Sequence, residues 1–139
     1  MILLDTSGLL SAIDASQRHH AGCAEILAAA TPPLLLSPFV LAELDYLLAT
    51  QVGSHAQLAL VDEVARNVYR LEPFGAHDVT IAAEVMRRYA NLAIGLAEAS
   101  IVALAQRHGT RDVLTLDERH FRALRTSDGK RFRVLPADR

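Results

Sequence analysis

Short runs of apolar residues alternate with stretches of helical periodicity along this chain. Apolar positions recur at helical spacing over residues 8–15, 20–29, 38–51, 54–67, 78–89 and 96–108, which predicts six helices. Between these stretches lie four short strand candidates and a weaker fifth, at residues 1–4, 34–36, 68–71, 113–116 and 132–135. Strands that alternate with helices predict an α/β domain with a mostly parallel sheet of four to five strands.

Several predicted helix ends carry typical capping residues. Ser37 followed by Pro38 indicates a helix start, because Ser is a good N-cap and Pro suits the first helical position. Asp78 is the predicted N-cap of the fifth helix. Gly109 predicts the end of the sixth helix, since Gly readily adopts the left-handed conformation found there. No linker or repeat interrupts the pattern, so we expect a single domain over residues 1–139.

The bulk composition restricts the class of protein. A chain of 139 residues fits one domain that buries roughly 70% of its unfolded surface. The single cysteine, Cys23, excludes an internal disulfide and is typical of a reducing compartment. No basic segment precedes the apolar start, and no uncharged stretch reaches the roughly 18 residues that a membrane span needs. We therefore expect a soluble, cytoplasmic protein with no membrane association.

Charge is distributed unevenly, although the net charge is only −2. Residues 1–65 carry one basic and seven acidic side chains, whereas residues 66–139 carry thirteen basic and nine acidic ones. Eight of the nine basic residues from position 107 onward are arginine, which suits bidentate contact with phosphate. The pattern fits a solvated face of local ion pairs as well as it fits nucleic-acid binding. An acidic cluster beside it would favour nucleic acid.

Four carboxylates stand in apolar sequence surroundings: Asp5, Glu43, Glu98 and Asp117. The two aspartates directly follow predicted strands, and the carboxyl ends of parallel strands form one edge of a sheet. Neither glutamate has a Lys or Arg three or four positions away, so no local ion pair explains them. A charge among apolar side chains is unfavourable unless it is compensated. Four such charges from distant parts of one small chain predict a shared cation.

Each carboxylate also has a simpler interpretation when it is taken alone. Asp5 and Asp117 are suited to cap the helices that follow them. Glu43 and Glu98 can each extend a carboxylate from a helix edge to solvent. Asp45 has surroundings as apolar as those of Glu43, and one helix cannot point both residues at the same spot because they are two positions apart. Periodicity leaves the choice between Glu43 and Asp45 open.

Electrostatics indicates what such a cluster would bind. Two carboxylates about 5 Å apart repel by roughly 3 kcal/mol at an effective dielectric constant near 20, so four together must take up protons or a cation. Oxygen ligands select Mg²⁺ or Mn²⁺. Zinc is disfavoured because the six histidines include no pair at i, i+4 and the chain has no cysteine cluster. No Ser–His–Asp arrangement or glycine-rich phosphate loop is visible.

Four sequence blocks, in order and spread over nearly the whole chain, resemble the PIN-domain endoribonucleases, in particular the VapC-type toxins of bacterial toxin–antitoxin pairs. Asp-Thr-Ser alone is a weak signal, but the four blocks together are specific. They are Leu4-Asp5-Thr6-Ser7; Ser37-Pro38 with Ala42-Glu43-Leu44-Asp45-Tyr46-Leu47; Ile94-Gly95-Leu96-Ala97-Glu98-Ala99-Ser100; and Thr115-Leu116-Asp117 with His120-Phe121.

The resemblance implies a PIN-like three-layer α/β/α domain in which the four acidic side chains converge on Mg²⁺ or Mn²⁺. In that family pattern Asp5 and Glu98 are the main metal ligands, and Glu43 and Asp117 complete the acidic pocket. The family thus selects Glu43 over Asp45. The hydroxyls that would orient these carboxylates belong to Thr6 and Thr115.

The resemblance also implies an activity and partners. The activity is metal-dependent hydrolysis of phosphodiester bonds in structured RNA, such as tRNA or rRNA loops, by the toxin of a toxin–antitoxin pair. We expect Arg119, Arg122 and Arg125 to hold flanking phosphates of the RNA. The expected protein partners are a VapB-like antitoxin and a second copy of the chain, which would form a homodimer through the apolar helices between residues 39 and 67.

One of the four carboxylates departs from the family pattern. Glu98 stands where relatives usually have Asp, which moves the carboxylate outward by roughly 1.5 Å. Mg²⁺ tolerates little misplacement of its ligands. An alternative function is therefore a catalytically weak or inactive RNA-binding or antitoxin-binding module. A phosphatase or receiver domain is disfavoured, because Ser7 replaces the second Asp of a paired motif and Lys130 is the only lysine.

Overall fold

Five short strands form one parallel sheet in the computed structural model, which describes residues 1–139. Each strand pairs with its neighbours in parallel, in the order β3-β2-β1-β4-β5. The strands are β1 (Ile2–Leu4), β2 (Leu34–Leu36), β3 (Arg70–Leu71), β4 (Asp112–Leu114) and β5 (Arg133–Leu135). The predicted α/β class, parallel sheet and strand number are confirmed.

Seven α-helices connect the strands, and a short 3₁₀ helix (Ala90–Leu92) precedes the sixth. The helices are α1 (Thr6–Ile13), α2 (His20–Ala29), α3 (Pro38–Gln51), α4 (Ser54–Ala65), α5 (Ala76–Arg88), α6 (Leu96–His108) and α7 (Glu118–Ala123). None of these helices has the length and apolar content required to cross a lipid bilayer.

The order of the strands creates a crevice between β1 and β4. The chain moves outward from β1 through β2 to β3, then returns past them to β4 and continues to β5. Because crossovers between parallel strands are right-handed, the two directions of travel place their helices on opposite faces of the sheet. The connections that leave β1 and β4 therefore diverge, which is where open α/β sheets place their sites. Asp5 and Asp117 lie in these two connections.

The hydrophobic core explains why the site elements are held rigidly. β1 is buried along its whole length, and α6 contributes a continuous buried run from Ala99 to Ala105. This agrees with the rule that parallel strands covered on both faces are hydrophobic throughout. The edge strand β3 is exposed, as is common at the margin of a sheet. The best-buried elements of the fold are thus the ones next to the crevice.

The predicted helix boundaries are mostly confirmed. Ser37 caps α3 by accepting a hydrogen bond from the Phe39 N–H, and Gly109 ends α6 with a positive φ of 65°. Asp78 does not occupy the N-cap position of α5; Gly75 does. The Asp78 carboxylate instead reaches back and accepts from the Gly75 N–H at 2.9 Å. The six-residue helix α7 was not predicted, because it is too short to establish a period.

Gly8 allows α1 to pack directly on the backbone of β4. A Cβ atom at this position would lie 2.4 Å from the carbonyl oxygen of Leu114, which cannot move without disturbing the sheet. We expect Gly8→Ala to lower the free energy of unfolding by roughly 1–3 kcal/mol through overpacking. That loss exceeds the roughly 0.5–1 kcal/mol that Ala gains over Gly inside a helix.

Gly22→Ala is the matched control, because Gly22 also lies inside a helix but a Cβ there would meet only a Pro136 side-chain atom at 3.6 Å. This substitution should stabilise the protein slightly. Urea denaturation of both variants measures the two effects. Equal stabilisation by both would mean that α1 and β4 are not in such close contact.

Candidate metal centre

Asp5 is the deepest carboxylate of the site. It follows β1 and is only 6% exposed. Thr115 Oγ1 donates a hydrogen bond to Asp5 Oδ2 at 2.5 Å, and Ser7 Oγ donates to the same atom at 3.3 Å. Burial raises the pKa of Asp5 to about 6 and the negative charges of Glu98 and Asp117 add to this rise, although the hydrogen bond from Thr115 opposes it.

The orientation of the Asp5 side chain shows whether this residue is a helix cap or faces the site. Asp5 occupies the N-cap position of α1, yet its side chain makes no capping hydrogen bond. The carboxylate is turned across the crevice toward β4, where its partner Thr115 lies. Helix capping therefore does not explain Asp5.

Thr115 links the two sides of the crevice. Its hydroxyl donates to Asp5 and accepts a hydrogen bond from the Asp117 backbone N–H at 2.9 Å. Ser7 forms a second link by accepting from the Leu116 N–H at 3.0 Å. These bonds fix the connection after β4 relative to β1. A hydroxyl that orients carboxylates is expected to form such hydrogen bonds. That role of Thr115 stays a prediction.

Glu43 approaches the site from α3. Thr6 Oγ1 donates to Glu43 Oε1 at 2.8 Å, which joins the start of α1 to the middle of α3. Asp45 instead accepts a hydrogen bond from Gln57 Nε2 at 2.8 Å and is turned toward α4. The contact with Thr6 thus favours Glu43 over Asp45, a choice that helical periodicity left open. Unlike Asp5, Glu43 is exposed to solvent.

Glu98 lies in the first turn of α6 and is half-buried. Its Oε2 atom accepts a hydrogen bond from the Gly95 N–H at 2.9 Å, so the side chain stabilises the helix start. A carboxylate has two oxygens and several acceptor positions, which leaves Oε1 available for other contacts. Glu98 therefore combines a structural role with the capacity to bind a cation.

Asp117 and His120 form a tight pair at the start of α7. Asp117 caps the helix, since its Oδ1 accepts from the His120 N–H at 3.1 Å. Its Oδ2 lies 2.8 Å from His120 Nδ1, and His120 Nε2 lies 3.2 Å from the carbonyl oxygen of Leu92. The capping interpretation of Asp117 is correct, but it leaves the second carboxylate oxygen directed at the imidazole.

Glu98, Asp117 and His120 form a group that can hold a metal ion. One ligand atom from each of these residues lies within 4.8 Å of the others. Two carboxylates and an imidazole are a donor set that suits a divalent cation such as Mn²⁺. The sequence interpretation missed His120 as a site residue. The available signal was its position three residues after Asp117, which places both side chains on one helix face.

The four predicted carboxylates therefore differ in their environment. Only Asp5 is buried; Glu98 and Asp117 are half-buried, and Glu43 is exposed. Apolar neighbours in the sequence thus did not mean burial for the last three. Contacts nevertheless connect all four: Thr6 joins α1 to Glu43, Thr115 joins Asp5 to the Asp117 backbone, and Glu98 lies close to Asp117.

The three arginines predicted to bind RNA are in different environments. Arg122 donates to both oxygens of Asp138, at 2.7 and 2.8 Å, and to Glu118 at 2.8 Å. Arg125 donates to three consecutive backbone carbonyls at the end of α7. Arg119 is exposed and has no acidic partner within 4 Å. Of the three, Arg119 has the guanidinium most available to a phosphate, and contact with RNA stays a prediction for each.

Comparison with known proteins identifies the family. The PIN domain model matches residues 2–126. Ribonuclease VapC26 of Mycobacterium tuberculosis (strain ATCC 25618 / H37Rv) is 44% identical over 135 residues, which cover 97% of this chain and all of that protein. The chain belongs to the PIN-domain family.

Solved structures share the fold at lower sequence identity. The crystal structure of Mycobacterium tuberculosis VapC20, described as a toxin that cleaves the sarcin–ricin loop, aligns with a TM-score of 0.78 and 24% identity over 84% of this chain and 90% of that one. The DNA-bound VapBC of Salmonella typhimurium aligns with a TM-score of 0.69 and 20% identity over 96% of both chains. These similarities confirm the predicted PIN-like α/β/α fold.

Proposed function

We propose that this protein is a metal-dependent endoribonuclease that acts as the toxin of a toxin–antitoxin pair. The observation that carries the proposal is geometric: Glu98 and Asp117 place ligand atoms within 4.8 Å of each other, and Thr115 joins Asp5 to the Asp117 backbone across the crevice between β1 and β4. The similarity to a protein named a ribonuclease, at 44% identity, supports the same activity. The whole chain acts as one domain, in the cytoplasm.

Asp5, Glu98 and Asp117 would hold Mg²⁺ or Mn²⁺ at the crevice, and Glu43 would contribute a further negative charge. When bound, the cation would supply Lewis-acid chemistry, which polarises a phosphodiester and lowers the pKa of water. The protein supplies the positioning: Thr115 fixes the carboxylate of Asp5, and Thr6 fixes that of Glu43. Water rather than the ribose 2′-hydroxyl is the nucleophile, so the products carry 5′-phosphate and 3′-hydroxyl ends.

The substrate is RNA in a structured loop, where splayed bases give access to the backbone. Arg119 is the residue best placed by its free guanidinium to hold a flanking phosphate. Large apolar side chains are exposed on the α3–α4 pair, including Tyr46, Leu58 and Val61. This surface supports a homodimer, and a VapB-like antitoxin is the protein that would cover the crevice.

Mapping of RNA ends tests the activity. After brief expression, wild-type protein should produce new 5′-phosphate ends at a small number of positions in total RNA. Asp117→Asn should reduce this cleavage at least about 100-fold, since loss even of an orienting partner in a metal site costs up to that much. Asn is itself a good N-cap, so α7 should remain folded.

Asp45→Asn is the control for this experiment, because Asp45 faces Gln57 rather than the crevice. It should cleave like the wild type. Undiminished cleavage by Asp117→Asn, or products that end in 2′,3′-cyclic phosphate, would refute the proposed mechanism.

A second candidate function is an RNA-binding or antitoxin-binding module with little catalysis. The observation that favours it is that Glu98, the residue that departs from the family pattern, already uses one oxygen to cap α6. Under the leading proposal the wild type cleaves RNA in Mn²⁺ and Glu98→Asp changes the rate by less than about tenfold. Under the alternative the wild type binds RNA without cleaving it, and Glu98→Asp restores cleavage. Single-turnover cleavage of a labelled stem–loop by both proteins decides between them.

A further inference from the structure

The imidazole of His120 lies between a backbone carbonyl oxygen, which can only accept a hydrogen bond, and a carboxylate. The Leu92 carbonyl oxygen accepts and cannot donate, so the contact at 3.2 Å places a hydrogen on His120 Nε2. In the neutral ring, the other nitrogen then carries a lone pair. That nitrogen, Nδ1, lies 2.8 Å from Asp117 Oδ2, whose lone pairs face it. This separation is close to the roughly 3 Å expected between neighbouring ligands of one divalent cation.

Glu98 completes the arrangement from the other side. Its ligand oxygen lies within 4.8 Å of both His120 and Asp117. In an octahedral site with ligands at about 2.1 Å, neighbouring donor atoms are roughly 3 Å apart and opposite ones roughly 4.2 Å apart. The 4.8 Å limit on the three donor atoms is slightly wider than the larger of these spacings, so a small side-chain movement suffices to place them around one cation. Two elements supply them: Glu98 lies in α6, and Asp117 and His120 lie at the start of α7.

We propose that Nδ1 of His120 is a ligand of the divalent cation, together with Asp117 and Glu98. This inference rests on the metal site of the proposed function and adds a nitrogen donor to it. A metal-bound imidazole usually donates its other ring N–H to a backbone carbonyl or a similar acceptor, and the Leu92 carbonyl is such an acceptor here. This hydrogen bond fixes the tautomer and the orientation of Nδ1.

The nitrogen ligand has a consequence for the choice of metal. Mg²⁺ prefers oxygen donors, whereas an imidazole shifts preference toward Mn²⁺ and later transition metals. The site should thus bind Mn²⁺ more tightly than an all-oxygen site would, relative to Mg²⁺. His120→Asn replaces the nitrogen ligand by an amide and should lower Mn²⁺ affinity about 10- to 100-fold, with a smaller effect on Mg²⁺.

Electron spin-echo spectroscopy of the Mn²⁺-loaded full-length protein tests the ligand directly. The wild type should show ¹⁴N modulation from a coordinated imidazole. Labelling the histidines of the wild type with ¹⁵N should replace this modulation by a ¹⁵N signal, which tests the ligand without a mutation. The signal should be lost in His120→Asn and kept in His55→Asn, since His55 is an exposed residue in the first turn of α4.

Two results would overturn the inference: a wild type with bound Mn²⁺ but no imidazole nitrogen signal, or a signal that survives in His120→Asn. Either would mean that His120 is only a hydrogen-bond partner of Asp117. The readout needs no RNA, so a protein that shows the nitrogen signal but cleaves nothing would refute the nuclease proposal alone. Absence of any Mn²⁺ binding would refute both.

Discussion

Replacing Asp5 by Asn is expected to abolish RNA cleavage while leaving the metal-free protein as stable as the wild type or more so. Asp5 is buried, and its pKa is raised to about 6 mainly because burial disfavours the charged form. A rise from 3.8 to about 6 corresponds to up to about 3 kcal/mol of destabilisation once the group is ionised. Asn carries no charge, so this destabilisation disappears. Activity should fall about 100-fold or more, because Asp5 is the most buried of the proposed anionic ligands.

The effect of Asp5→Asn on stability should depend on pH in a defined direction. Because the native pKa is raised, protonated Asp5 is favoured in the folded state, and its contribution to stability is complete below pH 3.8. The contribution is lost as the pH rises through about 6. The variant and the wild type should therefore differ little at pH 4, and the variant should gain relative to the wild type between pH 4 and 7.

Urea denaturation across this pH range, in the presence of a chelator, measures the difference. Asp45→Asn is again the control, since Asp45 is not in the buried cluster. A variant that loses both activity and stability at pH 7 would show that Asp5 is a structural residue. A variant that keeps full activity would remove Asp5 from the metal site.

Replacing Glu72 by Ala is expected to destabilise the protein by about 3 kcal/mol. Glu72 is 5% exposed and follows β3, where it contacts His108, Arg70 and Arg107. Arg107 is in turn paired with Asp78 at 2.9 Å. Removing Glu72 leaves Arg70 and His108 without their acidic partner and leaves Arg107 with Asp78 alone. The expected loss lies at the lower end of the range for buried ion pairs, because Arg70 and Arg107 are partly exposed.

The Glu72 cluster should also make the protein sensitive to acid. Burial by itself would raise the pKa of Glu72, but the hydrogen bond and charge of His108, together with Arg70, outweigh it and lower the pKa below 4.5. The stabilisation is therefore complete above pH 4.5 and is lost as the pH falls through the lowered native value. In Glu72→Ala, the free energy of unfolding should therefore fall less steeply as the pH is lowered.

Thermal or urea unfolding at pH 7 and pH 4 measures both effects. Glu25→Gln is the matched control: Glu25 forms an exposed pair with Arg139 at 2.9 Å, and its removal should cost less than about 1 kcal/mol. Cleavage by the folded fraction of Glu72→Ala should equal that of the wild type, since the residue lies beyond the outer strand. A loss near that of the control would mean that the cluster is solvated and contributes little.

Most of the fold can be predicted from the sequence, except for its shortest elements. The strands β1, β2 and β4 were visible because central parallel strands are continuously apolar, and α3 and α6 were visible because their ends carry clear signals at Ser37 and Gly109. The edge strand β3 is shorter than predicted because its paired residues are few and exposed. The short helix α7 has too few residues to show a period.

The chain alone determined the class of fold and the chemistry of the candidate site, because both depend on patterns that are local in sequence. Asp5 and Asp117 follow apolar strands, and that position is sufficient to place them at one sheet edge. The tertiary structure alone decided which side chains face the crevice. Thr6 donates a hydrogen bond to Glu43, whereas Gln57 binds Asp45 and holds it away from the crevice. The contact with the Leu92 carbonyl orients the ring of His120 toward Asp117. Each of these hydrogen bonds joins residues at least 12 positions apart, and no local pattern encodes such a contact.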